Sequence, residues 1–363
     1  ICPSRGLGDV YKRQLFDLSR SRIANANGIL LTSDGPRYAE TSLGENVNMG
    51  TQIDHWRYSI ASLRSAIRSG TVRELAEKAS LSSPRSVERL RRHDTSIKTD
   101  KGSSTLTAVD TSGRKLRYNS PVSRQDPLVY DWRNRVSRLH TPPSHQEQLL
   151  ILLPCSSTKP YRLSQSHHRF IRNIPSNRAH QMMVTSPLGL VPRELEDLWP
   201  AAHYDIPVTG DWDADELEMV NSMITDVCER VGYSEIINHS GMDVSIEGIV
   251  CHNTRRGTAG SKESLDELRK SVLKSIEGMN LADKSEKQHR IEVMKSRSRF
   301  IHGTDSWLEG STVSGRLPIL SISRDGEQLA RWNPRHGRFA FSKKSLPLLY
   351  DSGCFPSVSI LRN

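Results

Sequence analysis

Residues Leu149 to His168, reading LLILLPCSSTKPYRLSQSHH, decide the fold. The apolar run Leu149 to Leu153 is too short for a lone core helix and is stopped by Pro154, so it reads as a strand buried on both faces. A loop at the carboxyl end of such a strand is where open α/β sheets bind ligands. This one carries a thiol (Cys155), an amine (Lys159), several hydroxyls and an imidazole (His167) within thirteen residues.

Outward from it, short apolar runs alternate with helical patterns: Met182 to Thr185, Ile206 to Val208, Glu235 to Ile237, and Gly248 to Cys251. The clearest helix between them has Asp213 as N-cap and Glu216 in its first turn. Leu217, Val220, Ile224, Val227 and Val231 lie on one face, and Gly232 closes it. This alternation predicts an α/β domain over 148–294, a mostly parallel central sheet with helices on both faces. Upstream, residues 15–94 read as mostly helical. Ile53, Trp56, Ile60, Leu63 and Ile67 share a helical face ending at Gly70, Thr71 with Glu74 forms a capping-box pattern, and Ser83-Pro84 opens a third helix. Residues 95–147, polar and rich in Ser, Pro and Arg, read as a linker with one amphipathic helix near Tyr130 to Leu139. Ser264 to about Met294 reads as charged helix. Residues 295–363 read as a small α+β domain with a turn at Asp325-Gly326.

The chain of 363 residues is 35% hydrophobic and 25% charged, with 51 Lys plus Arg against 41 Asp plus Glu, net +10. A basic balance of this size fits a polyanionic partner, nucleic acid first, or simply a basic protein. The five cysteines are odd in number and scattered without a CxxC pair. That excludes a disulfide framework or zinc knuckle by pattern and favours a reducing, cytoplasmic compartment. No apolar run reaches membrane-spanning length. The first fourteen residues are similar to translated read-through and stand outside the fold reading. With the apolar stretch Ser357 to Leu361 cut short at the other end, they imply a fragment.

Taken from the residues alone, Cys155 is a nucleophile if Lys159 and a following helix N-terminus lower its thiol pKa; otherwise it is a small buried residue at a strand end. His167 could then act as acid or base. In Thr185 to Glu196 the pattern is strand, turn and helix, with Pro192 at the first helical position, Gly189 allowing close approach to a ligand and Glu194 accepting hydrogen bonds from an amidine edge. The alternative is an ordinary turn with a capping carboxylate. Asp205 could orient a base or a substrate amine, or satisfy a loop. The histidines at 167, 168, 180 and 203 have no metal-ligand spacing, so no metal and no cofactor are expected.

Pro154-Cys155, three residues, Lys159-Pro160-Tyr161, two residues, Ser164, two residues, His167 resembles the signature of archaeosine synthase, the archaeal paralogue of tRNA-guanine transglycosylase. SPLGLVPRELE at Ser186 to Glu196 and YDIPVTGDW at Tyr204 to Trp212 resemble the same family in the same order. The resemblance implies a remnant of a transglycosylase-like barrel over 15–94 and a small domain of the kind that precedes an RNA-binding PUA domain over 295–363. In that family a histidine at the position of His55 joins three cysteines on zinc; here no cysteine lies between Cys2 and Cys155, so that site is absent. It further implies addition of an amine, lysine first among donors, to the nitrile of 7-cyano-7-deazaguanine in the D-arm of tRNA, with a radical-SAM partner completing archaeosine. Cys155, Lys159, His167 and Asp205 are then the expected catalytic residues. Ser156, Tyr161, Ser164, Ser186, Gly189, Glu194, Tyr204 and Thr209 are the expected substrate-binding set. Arg114, Lys115, Arg117, Arg335, Arg338, Lys343, Lys344 and the arginines at 85, 89, 91 and 92 are candidate phosphate contacts. Base exchange as in a transglycosylase, and non-catalytic tRNA binding, are the competing functions.

Overall fold

A computed structural model describes residues 29–32, 35–38, 49–81, 84–100, 116–118, 120–206, 211–302, 321–324, 327–333 and 338–341. The chain divides into two units, 1–108 and 109–363.

The first unit contains an antiparallel pair, β1 (Ile29–Thr32) and β2 (Gly35–Tyr38), and three helices, α1 (Met49–Ser69), α2 (Val72–Ser80) and α3 (Pro84–Asp100). Gly70 closes α1 with φ +63°, a conformation only glycine adopts without strain. The predicted apolar face of α1 is present but Ile53, Ile60, Leu63 and Ile67 are exposed in this unit. The capping box at Thr71 does not form, because the Thr71 hydroxyl is engaged with Ser69 at 2.8 Å instead of the helix amides. What joins α2 to α3 is a buried fork: Arg73 donates to both carboxylate oxygens of Asp94 at 2.5 and 3.0 Å and to Glu77 at 2.7 Å. Such a bidentate pair is directional as well as charged.

In the second unit, β3 (Leu116–Arg117) leads to α4 (Pro127–Arg138), β4 (Leu149–Pro154), α5 (Gln165–Asn173), β5 (Ala179–Thr185) and β6 (Gly189–Pro192). Then follow β7 (Tyr204–Asp205), α6 (Ala214–Val231), β8 (Glu235–Asn238), β9 (Val250–Asn253), α7 (Lys262–Gly278) and α8 (Glu286–His302). The main sheet has the order β6-β5-β4-β8-β9, parallel except for β6. Leu149 to Leu153 are fully buried; each such side chain contributes roughly 1.5–3 kcal/mol relative to exposure. Helices α4 and α6 pack together, and α5 packs against α7. The sheet is therefore an α/β sheet wound in both directions from β4, which makes the end of β4 its switch point.

Four expectations are corrected. The later part of the expected linker, from α4 onward, is part of this core: Val129, Trp132 and Val136 of α4 are buried and the Trp132 indole donates to the Leu190 carbonyl at 3.0 Å. The segment after Thr185 returns as an antiparallel strand, β6, and a single 3-10 turn at Arg193–Leu195, so Pro192 ends a strand instead of starting a helix. The expected boundary at 294/295 falls inside α8, whose Phe300 packs into the α/β core. The strand expected at Ile206 to Val208 lies earlier, at Tyr204–Asp205, paired parallel with β3; residues 207–210 are outside the described set.

The capping box on α6 forms as read: Asp213 accepts from the Glu216 amide at 2.9 Å, Glu216 accepts from the Asp213 amide at 3.0 Å, and Gly232 closes the helix at φ +76°. A separate antiparallel sheet comprises β10 (Ser321–Arg324), β11 (Glu327–Asn333) and β12 (Arg338–Phe341), as the residues there predicted; the turn at Asp325-Gly326 is outside the described residues. Among the described residues no helix is long and apolar enough to cross a membrane.

Gly189 opens β6 at φ +76°, and a Cβ there would lie 2.2 Å from the Met223 sulfur. Gly189→Ala should therefore lower the stability of the chain by about 1–3 kcal/mol, measured as the urea midpoint; an unchanged midpoint would contradict the turn's need for glycine.

Candidate active site at the end of the central strand

Pro154 and Cys155 leave β4 into a cleft of about 500 Å³. Val184 and Ser186 come from the end of β5, Ser240 to Asp243 follow β8, Arg255 follows β9, Leu217 and Asn221 come from α6, and Ile206 and Trp212 complete the wall. This is the crevice the strand order predicts. Cys155 is half-buried and a free thiol. Burial pushes its pKa up; the nearby Lys159 ammonium and a hydrogen bond with Thr185 pull it down without prevailing. The resting thiol is therefore protonated at neutral pH.

Lys159 is buried at 8% exposure, its Nζ 4.2 Å from the centroid of the Tyr204 ring. Tyr161 and Tyr204 are fully buried, their hydroxyls hydrogen-bonded to each other, and Tyr204 also meets the Thr185 hydroxyl at 2.7 Å. Neither tyrosine lines the cleft, so the structure does not place them on the expected substrate-contacting wall.

His167 is likewise redirected. Its backbone amide is capped by Ser164 at 3.2 Å, which starts α5; Ser164 thus serves the helix, not a substrate. The His167 Nε2 donates to the Pro154 carbonyl at 3.0 Å while Nδ1 accepts from Arg193 at 3.0 Å. Both ring nitrogens are occupied and the side chain is fully buried, so no nitrogen is left to relay a proton. Burial, then the Arg193 charge, lower its pKa to about 3.

Glu194 lies buried between His140 and His180, with Oε1 2.8 and 3.2 Å from their Nε2 atoms. The imidazole partners outweigh burial and hold its pKa well below the carboxylate range. It does not line the cleft around Cys155. His140, His180 and Glu194 are the metal-capable group found among the described residues, but the distances are those of hydrogen bonds and His180 Nδ1 bonds Tyr233 at 2.5 Å. The atoms that face one another are paired, while His140 Nδ1 is buried without a hydrogen-bond partner. Asp205 is exposed and its carbonyl serves the Tyr118 amide at 3.0 Å; it is not on the cleft wall. The Ser156 hydroxyl donates to the Thr158 carbonyl, and Gly189 is packed against Met223. Ser186 does line the cleft, its hydroxyl held by Glu216 at 2.5 Å. Thr209 is outside the described residues, as are Arg114, Lys115, Arg335, Lys343 and Lys344.

Sequence reasoning passed over Thr185, Asn221, Ser240, Asp243 and Arg255. The signal available for three of them was the one used at Cys155, a polar loop directly after an apolar strand. Asn238 to Asp243 and Thr254-Arg255 both fit it. Arg255 crosses Gly241, donating to the Ser240 and Gly257 carbonyls at 2.9 Å each; a Cβ at Gly241 would collide with it.

Residues 129–272 match the family described as Domain of unknown function (DUF5591), the span from α4 to α7 that builds sheet and cleft. Over 299 residues the chain is 30% identical to the archaeosine synthase subunit alpha of Thermoplasma acidophilum, covering 81% of this chain and 56% of that protein. It is 28% identical over 309 residues to the archaeosine synthase of Methanocaldococcus jannaschii, covering 80% and 50%. The chain is similar to these archaeosine synthases over about four fifths of its length. A tRNA-guanine(15) transglycosylase of Methanobrevibacter smithii is 24% identical over 218 residues, 57% of this chain and 30% of that protein. The chain spans about half the length of the archaeosine synthases it matches.

The unfolded chain takes up a proton on His167 near the ordinary histidine pKa of about 6.5, while the folded chain refuses it down to about 3. Stability from the neutral ring is therefore fully present above about pH 6.5 and falls as pH is lowered toward 3. His167→Gln, which keeps one donor and one acceptor but does not titrate, should flatten the stability profile between pH 6.5 and 4 by on the order of 3 kcal/mol. Urea midpoints across that range, with equal slopes for both proteins, would contradict the clamped neutral ring.

Proposed function

We propose that this chain is the amine-adding core of a tRNA-modifying transferase in archaeosine biosynthesis, and that Cys155 attacks the nitrile carbon of 7-cyano-7-deazaguanine carried by tRNA. The observation that carries the reading is the position of Cys155 at the switch point of the sheet, inside a cleft large enough for a base. The relatives named archaeosine synthase support it.

The thiolate sulfur bonds to the nitrile carbon, one C–N π bond opens, and the nitrogen takes a proton to give a thioimidate. The amine then bonds to the same carbon, the C–S bond breaks, and the thiolate leaves. The net change is addition of an amine N–H across the nitrile, with no oxidant or reductant. With His167 clamped and Asp205 off the wall, the proton given to the imide nitrogen is the one the Cys155 thiol releases, carried by water in the cleft, and the proton the incoming amine surrenders returns the departing thiolate to the thiol. Lysine as donor is supported by Asp243 and Arg255 on the cleft wall, which offer partners for an ammonium and a carboxylate. The radical-SAM partner that completes archaeosine belongs to the same proposal.

The test is mass spectrometry of tRNA bearing 7-cyano-7-deazaguanine after incubation with the full chain and lysine. Cys155→Ala should lower formation of the lysine adduct at least about 1000-fold. A variant that forms the adduct at the wild-type rate would remove the covalent role. Exchange of labelled guanine into tRNA would establish the transglycosylase reading, and salt-sensitive tRNA binding without turnover the non-catalytic one.

A further inference from the structure

Three hydroxyls are stacked behind the Cys155 sulfur, drawn from three separate segments: Tyr161 from the turn after β4, Tyr204 from β7 and Thr185 from the end of β5. All three residues are fully buried. The Tyr161 and Tyr204 hydroxyls bond one another, Tyr204 and Thr185 are 2.7 Å apart, the Thr185 hydroxyl bonds the Ser186 carbonyl at 3.1 Å, and the parallel register that pairs Pro154 with Val184 sets Thr185 beside Cys155 as the next position along. Each hydroxyl has one proton to give.

We propose that Tyr161, Tyr204 and Thr185 form a hydrogen-bond relay that turns toward Cys155 when its thiol ionises, making Thr185 and Tyr204 positioning residues for the thiolate. The proposal rests on the nucleophile reading of Cys155. While the thiol is protonated it can donate to Thr185, and Thr185 donates to the Ser186 carbonyl. Once the thiol proton has left to solvent the sulfur can only accept. Thr185 then swings its proton from the Ser186 carbonyl to the sulfur, Tyr204 donates to Thr185, and Tyr161 donates to Tyr204. Every proton stays on its own oxygen, and the relay changes only its direction.

Two features favour this direction. Burial pushes the ionisation of both phenols upward, so the tyrosines keep the protons they must donate. The Lys159 ammonium over the face of Tyr204 draws charge from the ring and strengthens its O–H as a donor, and aligned hydrogen bonds polarise one another. Lys159 therefore acts on the thiolate both through space and through the tyrosine. The resting thiol stays neutral because burial outweighs both Lys159 and Thr185.

Alkylation of Cys155 by iodoacetamide in the full chain, followed from pH 6 to 10 by mass spectrometry of the Cys155 peptide, reads the thiolate fraction without tRNA. Thr185→Val should raise the midpoint by about one pH unit, a roughly tenfold lower rate at pH 7.5. Tyr204→Phe should raise it by a smaller amount and Tyr161→Phe by less again, while Thr185→Ser restores the wild-type midpoint. Folded variants, judged by an unchanged thermal transition, whose midpoints stay at the wild-type value would overturn the relay. So would a uniform fall in rate without a shift, which reports access instead. If Tyr204→Phe does not fold, the comparison of Thr185→Val with Thr185→Ser decides alone. Failure of tRNA modification with a normal set of alkylation shifts would sink the proposed function and leave the relay standing.

Discussion

Leu149 to Leu153 have no access to solvent on either side of the sheet, and the second unit is arranged to make that possible. A strand buried on both faces needs parallel neighbours at both edges and helices above and below. Here β5 and β8 flank it, α4 and α6 pack as one pair, and α5 and α7 pack as another. Once the strand stops being apolar, at Pro154, the chain must leave the core with its polar groups satisfied. The His167 ring accomplishes this by taking the Pro154 carbonyl. Its neutrality is part of that service, since a charged imidazole beside Arg193 would be both desolvated and repelled. Holding this carbonyl fixes where Cys155 emerges.

A second buried polar group ties the outlying helix to the sheet. Glu194 is surrounded by His140 and His180, with Ser296 of α8 3.4 Å from its Oε1, while Arg297 of the same helix donates to the Glu194 carbonyl and to Asp197. A carboxylate this deep is tolerable only because it is paired and hydrogen-bonded, and removal of one partner leaves an uncompensated charge. The network explains why α8 belongs to the α/β unit although its sequence is charged throughout. It also explains why Glu194, in a motif that reads as ligand-binding, faces protein.

At the cleft the chemistry follows from unequal environments around one sulfur. Apolar burial keeps the thiol protonated at rest; Lys159 and Thr185 oppose that without overcoming it. Elsewhere on the cleft wall Asp243 and Arg255 are exposed. A buried reactive end and a solvated charged end suit a reaction that joins a soft electrophilic carbon to a charged amine donor.

The sequence by itself determined the strand at 149–153, its buried character, the helix from Asp213 to Gly232 and the small β module near 321–341. Those features are local: apolar run length, helical spacing and cap residues act over a few positions, so the pattern carries them. The pattern misled where a distant partner decided the outcome. Thr185 to Glu196 became a hairpin because β5 offered β6 an edge to pair with; the supposed linker became core because Trp132 found the Leu190 carbonyl. The motif identified Cys155, Lys159, Tyr161 and His167 as a group but not their roles. Which of them faces the cleft, which stands behind the sulfur and which is clamped depends on β4, β5, α5 and β7 meeting at one point. Thr185 joined the site through that meeting alone, because contacts between residues far apart in sequence leave no periodic trace.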